Sequence, residues 1–250
     1  MTDYNPFNLL GKTIFITGAS SGIGRSTAIE CSKLGAVLII TGRNEERLNE
    51  TFSMLSGIGH QAIVGDLLNS DFRDELVNQL PKLDGFVNNA GINITNTVKF
   101  IKSEQLEQIL DINVKIPILL TKEILKASKL NNYASVVFTA SIAGVYRTSM
   151  GNSMYSAAKA AIHGFMRNAA LEMANQKIRV NSVNPAMIET ELVGKGNITE
   201  EQYEADRLKY PLKRYGKAQE VSWAIIYLLS DASAWTTGTA MVIDGGITLR

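Results

Sequence analysis

The feature that most restricts this 250-residue chain is the regular alternation of two hydrophobic periods along it. Short runs rich in β-branched residues recur at 13–17, 36–41, 61–64, 85–87, 135–139, 179–183 and 240–243. Longer amphipathic stretches with helical spacing fill the gaps, at 22–34, 45–55, 71–79, 103–129, 154–175 and 219–229, with a shorter one near 200–208. Strands separated by helices of this length are joined by crossovers rather than hairpins, so they run parallel, and helices cover both faces of the sheet. The pattern predicts an α/β fold: a doubly wound, seven-stranded parallel sheet in one domain spanning 1–250. No repeat or Pro/Gly/Ser-rich linker divides it. The longest irregular stretch, 185–212, carries Gly194 and Gly196 and has the length of a lid over a substrate site.

Composition narrows the function classes. Lys and Arg total 25 against 24 Asp and Glu, a net charge of +1, which provides no field to attract nucleic acid or a membrane surface. The single cysteine, Cys31, excludes an intramolecular disulfide and any multi-thiolate metal site, suits a reducing cytoplasm, and is read as helix packing. The start, Met1 to Pro6, lacks a basic segment followed by an apolar core, and no later apolar run reaches membrane-spanning length, so a soluble cytoplasmic protein is expected. His60 and His163 have no metal-ligand spacing and are assigned structural roles; no metal is expected.

The first strand runs directly into Thr17-Gly18-Ala19-Ser20-Ser21-Gly22-Ile23-Gly24, and a helical pattern follows. Gly18 suits the tight turn, Gly22 lets a pyrophosphate approach the backbone, and Gly24 lets helix and strand pack closely. The helix N-terminus then offers free N–H groups and partial positive charge to phosphate. Taken alone, the motif is also compatible with an ordinary glycine-rich turn. In this setting it makes the sheet Rossmann-type.

The spacing G-x-x-x-G-x-G resembles the short-chain dehydrogenase/reductase family, and further motifs follow in the family's order: Asp66, Asn88-Asn89-Ala90-Gly91, Asn113, Ser141, and Tyr155-x-x-x-Lys159. The resemblance extends from about Gly11 to Gly246. It implies a dinucleotide site built from Gly18, Ser20, Ser21, Gly22, Ile23 and Gly24, with Asp66 and Leu67 against adenine and Asn89, Ala90 and Gly91 beside the cofactor. Asn184-Pro185-Ala186-Met187-Ile188-Glu189-Thr190 resembles the segment that meets the nicotinamide, implicating Pro185, Ile188 and Thr190, although Ala186 stands where glycine is usual.

Tyr155 and Lys159 are four residues apart, so a helix places phenol and ammonium on one face, where a cation favours the phenolate and lowers its pKa. Ser141 follows a strand end, where open parallel sheets bind ligands. The resemblance makes Ser141 the holder of the substrate oxygen and Tyr155 the proton shuttle. It gives Lys159 the nicotinamide ribose and the tuning of Tyr155, and Asn113 a water-held relay to the lysine. Asn113 is also expected to bend its helix locally. Apolar members of the flanking segments, Val145, Met150, Leu192 and Val193, are expected to line a substrate pocket.

Strand two ends Thr41-Gly42-Arg43-Asn44, without the acid that would bind ribose hydroxyls and repel a 2′-phosphate. Gly42 leaves room and Arg43 can bond a phosphate, so NADP(H) is expected, with NAD as second choice. The expected reaction interconverts a ketone and a secondary alcohol, foremost as a 3-oxoacyl-type reductase whose substrate could be linked to acyl carrier protein. Lys126 matches one of the family's basic docking positions, but Leu171 falls where an arginine is expected. A sugar, polyol or steroid alcohol dehydrogenase is the alternative, and a non-catalytic dinucleotide-binding regulator is one of another class. A homotetramer is also expected, because Ile109, Ile112, Ile116, Leu120, Phe165 and Met166 exceed what one sheet face needs to cover.

Overall fold

The structure, a computed structural model, describes residues 4–190 and 199–249, so the expectations for Leu192, Val193, Gly194 and Gly196 fall outside the described residues. Along the chain the strands are β1 (Thr13–Thr17), β2 (Val37–Gly42), β3 (Gln61–Val64), β4 (Leu83–Asn88), β5 (Leu130–Thr139), β6 (Arg179–Pro185), β7 (Ile188–Glu189), β8 (Gly216–Lys217) and β9 (Ala240–Ile243). Seven of them form one sheet in the order β3-β2-β1-β4-β5-β6-β9, every pairing parallel. The expected doubly wound Rossmann-type sheet is therefore present. β7 and β8 pair separately as a two-stranded parallel ribbon that the sequence pattern did not predict, being only two residues each.

The helices are α1 (Gly22–Lys33), α2 (Glu45–Ser53), α3 (Ser70–Gln79), α4 (Ser103–Leu110), α5 (Ile116–Lys126), α6 (Ser153–Glu172), α7 (Glu200–Arg207) and α8 (Ala218–Leu229). They cover the sheet from both sides, which explains why its strands read as nearly continuous apolar runs. Within β1, Phe15 points to one layer, with Leu76 of α3, Leu120 of α5 and Met166 of α6. Ile14 and Ile16 point to the other, with Ala28 and Cys31 of α1 and Ile225 of α8. Phe15 and Phe86 stack with ring centroids 5.3 Å apart, tying the two central strands together.

Two expectations need correction. The helix expected over 103–129 is three pieces: α4, a π-turn at Asp111–Lys115, and α5. Pro117, in the first turn of α5, has no N–H to give to the carbonyl of Asn113 four residues back. The buried Asn113 amide also donates to the carbonyl of Ile109, so side-chain bonding widens the turn. The second correction concerns apolar surplus. Ile109, Ile112, Ile116, Leu120 and Met166 are all buried, and Phe165 packs edge-on against Phe138. Only Phe165 of these side chains is left half-buried, so the protein's own core takes up nearly all of the expected surplus.

Candidate active site

The chain winds from β1 outward to β3, then returns to place β4 on the other side of β1. Loops leaving the carboxyl ends of β1 and β4 therefore diverge and open a crevice, the usual ligand position in such sheets. Gly18 lies in this crevice with φ +66°, and a Cβ added there would sit 2.8 Å from the Cα of Ala90. A Cβ on Gly24 would lie 2.3 Å from the carbonyl oxygen of Gly18 and 2.5 Å from Nδ2 of Asn89. Both positions need glycine for packing, and Gly22, at φ +54°, needs it for backbone shape.

Thr17, which sequence reasoning did not single out, ties the two loops together. Its Oγ1 accepts hydrogen bonds from the backbone N–H groups of Asn89 (3.0 Å) and Ala90 (3.1 Å). The Asn89 amide donates in return to the carbonyls of Thr17 and Gly18, both at 3.2 Å. The threonine that opens the glycine motif was the available signal. Arg25 braces the same turn from α1, donating to the Ser20 carbonyl at 2.8 Å and pairing with Glu50 at 2.7 Å. Its charge is thus partly spent inside the protein.

Ser21 begins α1 with no side-chain cap, and no acid occupies the first turn, so the helix N-terminus faces the crevice with its amide dipoles uncompensated. Across the mouth, Cγ2 of Thr190 is 3.4 Å from where a Gly22 Cβ would be, while Ile188 is buried against the α8 layer. Pro185, at the end of β6, is buried; Ala186 is bonded to Ile243 through its N–H. At the other end of the crevice Arg43 is exposed. A Cβ on Gly42 would come 3.2 Å from Cβ and Oγ of Ser20, so this glycine serves close approach of the two loops as well as leaving room. Asp66 is exposed and its Oδ1 accepts the Leu68 N–H at 3.0 Å, as an Asx turn at the strand end would; Leu67 is half-buried beside it.

The second cluster lies where β4, β5 and α6 meet. Ser141 follows β5; its Oγ accepts the Ala143 N–H at 3.1 Å and stands beside the Tyr155 phenol, whose ionisation it eases. One turn along α6, Lys159 is 6% exposed; its Nζ donates to the carbonyl of Thr139 at 2.8 Å and lies 5.5 Å from the centroid of the Tyr155 ring. Burial pulls the lysine down to about 8. Burial also pushes the Tyr155 phenol up, opposed by Ser141 beside it. The sequence-based expectation that the phenol lies below its ordinary value is not met in the protein alone, because its enclosure dominates.

Asn113 joins this cluster to the crevice. Its Oδ1 accepts the Ile92 N–H (3.2 Å), and its Nδ2 donates to the carbonyls of Ile92 (2.9 Å) and Ile109 (3.0 Å). A Cβ on the intervening Gly91 would lie 2.7 Å from Oδ1 of Asn113 and 3.6 Å from Nζ of Lys159. All four sequence-selected residues thus converge, although Asn113 does so with its amide fully committed to backbone. Of the pocket-lining expectations, Met150 is 90% exposed and borders a cavity of about 340 Å³ with Val98 and Ser156, while Val145 is also exposed. His60 accepts the Leu38 N–H and His163 stands edge-on to Tyr146. Among the described residues no group of acids, histidines and cysteine could hold a metal, and no helix is long and apolar enough to cross a membrane.

A glycine-lined helix terminus at a switch point, beside a tyrosine, a lysine and a serine, defines an oxidoreductase acting on alcohol or ketone groups with a nicotinamide dinucleotide. The family described as enoyl-(acyl carrier protein) reductase matches residues 18–248. The 3-oxoacyl-[acyl-carrier-protein] reductase FabG of Rickettsia felis is 35% identical over 240 residues, covering 96% of this chain and 98% of that protein. The glucose 1-dehydrogenase of Gluconobacter oxydans is 33% identical, over 96% and 92% of the two chains. A solved double mutant of a Serratia marcescens short-chain dehydrogenase/reductase superposes with a TM-score of 0.89 at 25% identity, covering 98% of this chain and all of that one. The chain belongs to the short-chain dehydrogenase/reductase family.

Proposed function

We propose that the protein reduces a ketone to a secondary alcohol with NADPH, foremost on a 3-oxoacyl-type substrate, and that Ser141, Tyr155, Lys159 and Asn113 carry the proton chemistry. The observation that carries this reading is the placing of Ser141 beside the Tyr155 phenol, with the buried Lys159 held by the Thr139 carbonyl against the tyrosine ring. The glycine cradle fits a dinucleotide: Gly18, Ser20, Ser21, Gly22, Ile23 and Gly24 would hold the pyrophosphate, Asp66 and Leu67 the adenine, and Asn89, Ala90 and Gly91 the side of the ribose. Pro185, Ile188 and Thr190 would meet the nicotinamide. When bound, the cofactor supplies the hydride that forms the new C–H bond.

Ser141 orients the substrate oxygen, and Tyr155 donates the proton that this oxygen takes up as its carbon accepts hydride. A neutral phenol, which burial favours here, is the form that can donate. Lys159, close to 8, is matched to pass protons near neutral pH and to bind ribose hydroxyls. With its amide committed, Asn113 would reach water through its main-chain carbonyl, the group Pro117 leaves without an α-helical donor.

Exposed Arg43 supports NADP(H), with NAD as the second cofactor. Lys126 is exposed on α5, as docking of acyl carrier protein would need. Leu171, 79% exposed on α6, replaces the second basic contact and favours a free carbonyl such as a sugar or polyol as the second reading. The described parts of the irregular segment, 185–190 and 199–212, would border the substrate. The buried Cys31 suits a cytoplasmic setting. A homotetramer is part of this reading: β9 is an unpaired sheet edge carrying the part-exposed Val242, and Trp235 nearby is fully exposed.

NADPH oxidation measured with a 3-oxoacyl thioester, its carrier-protein form, a cyclic ketone and a keto sugar tests the reading. Turnover with the thioesters above all others is expected. Preference for the sugar would install the second reading, and cofactor binding without turnover of any carbonyl would reduce the protein to a dinucleotide-binding regulator. Light scattering at micromolar concentration tests the assembly, and a monomer would reject it.

A further inference from the structure

A compact aromatic cluster adjoins Ser141 through its chain neighbour Ile142. Ile142, Tyr210, Tyr215 and Ile247 are buried together, with Ala186 and Tyr203 packed against them. Tyr203, on α7, meets Tyr215 edge-on at 5.0 Å, and Tyr215 meets Tyr210 the same way at 5.3 Å. The cluster touches both strand ends of the candidate site, since Ile142 follows Ser141 and Ala186 follows Pro185. A polar bond ties α7 to it: the hydroxyl of Tyr215, 3% exposed, donates to Oδ2 of Asp206 at 2.7 Å. The other carboxylate oxygen accepts from Lys209 at the surface. The Arg147 guanidinium lies close enough to help hold Asp206 ionised while donating to the carbonyl of Ile247 at 2.6 Å.

We propose that Asp206 and Tyr215 are positioning residues for the substrate: their hydrogen bond fixes α7 against the aromatic cluster, and α7 in turn fixes the wall of the pocket beside Ser141. The inference rests on the reading of Ser141 and Tyr155 as the reacting site. The physical case is one of density. α7 is eight residues long and has no buried residue of its own, so packing holds it weakly. Its Thr199–Gln202 capping box organises only its own first turn. Among the described residues its attachments to the body include the Tyr203 ring contact, the attraction of Arg147 for Asp206 and the Asp206–Tyr215 bond, the last charge-assisted and buried at its tyrosine end. Releasing it would leave α7 to sample positions that do not complete the pocket, and apparent substrate affinity would fall by the fraction so lost. Neither residue touches the dinucleotide cradle, so cofactor affinity should stand apart.

Tyr215→Phe removes the hydroxyl and keeps the ring, Asp206→Ala removes the acceptor, and Asp206→Asn keeps an acceptor oxygen. In the full-length protein, Tyr215→Phe and Asp206→Ala should each raise KM for the ketone about tenfold, with kcat and NADPH affinity within about twofold, and Asp206→Asn should lie near wild type. Hydrogen exchange of amides 200–208 should quicken in the first two variants and not in the third. KM unchanged in both Tyr215→Phe and Asp206→Ala, or a raised KM accompanied by comparable losses of kcat and cofactor affinity, would overturn the proposal. Exchange is read without substrate, so quickened exchange in an enzyme that reduces no carbonyl would retain the latch and reject the reading of the reacting site. Unchanged exchange beside normal turnover would do the reverse.

Discussion

The ammonium of Lys159 is held at 2.8 Å by the carbonyl of Thr139, two residues before Ser141. This bond makes the end of β5 a single platform for both chemical partners of Tyr155: the serine beside its hydroxyl and the lysine that lies under its ring. A helix alone would set Tyr155 and Lys159 one turn apart but would leave Lys159 free to swing to solvent. Burial against a carbonyl fixes its direction and pulls its pKa down to about 8. The consequence is a lysine whose proton is exchangeable near the working pH.

The pH dependence of stability should expose that lysine. Its folded pKa, about 8, lies below the ordinary lysine value near 10.5. Between those values the unfolded chain binds more protons, so folding becomes more favourable as pH rises through that window. Lys159→Met should therefore be the more stable protein at pH 7, with its advantage over wild type shrinking between pH 8 and 10. Urea denaturation of both cofactor-free proteins at several pH values measures it; an advantage that grows with pH would contradict the burial of a charged Nζ.

Tyr155→Phe should lower turnover by at least about 100-fold, the scale of losing a positioned general acid, with cofactor affinity within about twofold. Fluorescence titration with NADPH alongside steady-state kinetics separates the two. Activity within tenfold of wild type would remove Tyr155 from the chemistry.

Gly18→Ala should cost about 1–3 kcal/mol of stability and most of the cofactor affinity. Its Cβ would be forced to 2.8 Å from Ala90 Cα at a φ of +66°, pushing apart the loops that Thr17 holds together. Denaturant melts and NADPH titration report the two losses. Retained affinity would mean that the crevice tolerates a wider opening than its packing implies.

Asn113→Ala should cost about 2–4 kcal/mol, because it strips one buried and two part-buried backbone groups of their partner. Its effect on stability should exceed that of Tyr155→Phe, although Tyr155 is the more important for chemistry. Equal melting midpoints for the two variants would show that water replaces the amide.

Arg43→Ala should lower kcat/KM with NADPH about tenfold or more and leave that with NADH nearly unchanged. Kinetics with both reduced cofactors decide it. A preference ratio indifferent to Arg43 would move the selection elsewhere on the loop after β2.

The seven strands, their parallel sense and the residues gathered at their carboxyl ends were legible in the sequence because each rests on a local rule. Period-2 runs mark strands, 3.6-residue spacing marks helices, and a glycine triplet between them marks a close turn. What depended on two distant segments meeting was not legible. The helix over 103–129 read as regular because its apolar spacing continues, and only the approach of Ile92 to Asn113, with Pro117 behind it, converts Asp111–Lys115 into a π-turn. The direction of the Tyr155 shift was likewise decided by enclosure, which is not encoded in the four-residue spacing. The bond from Tyr215 to Asp206 joins residues nine apart whose roles carry no local signature. The sequence by itself determined which elements form and which reactive groups they carry; the tertiary structure decided their partners, and hence their charge, because burial and hydrogen bonding are properties of the assembled neighbourhood.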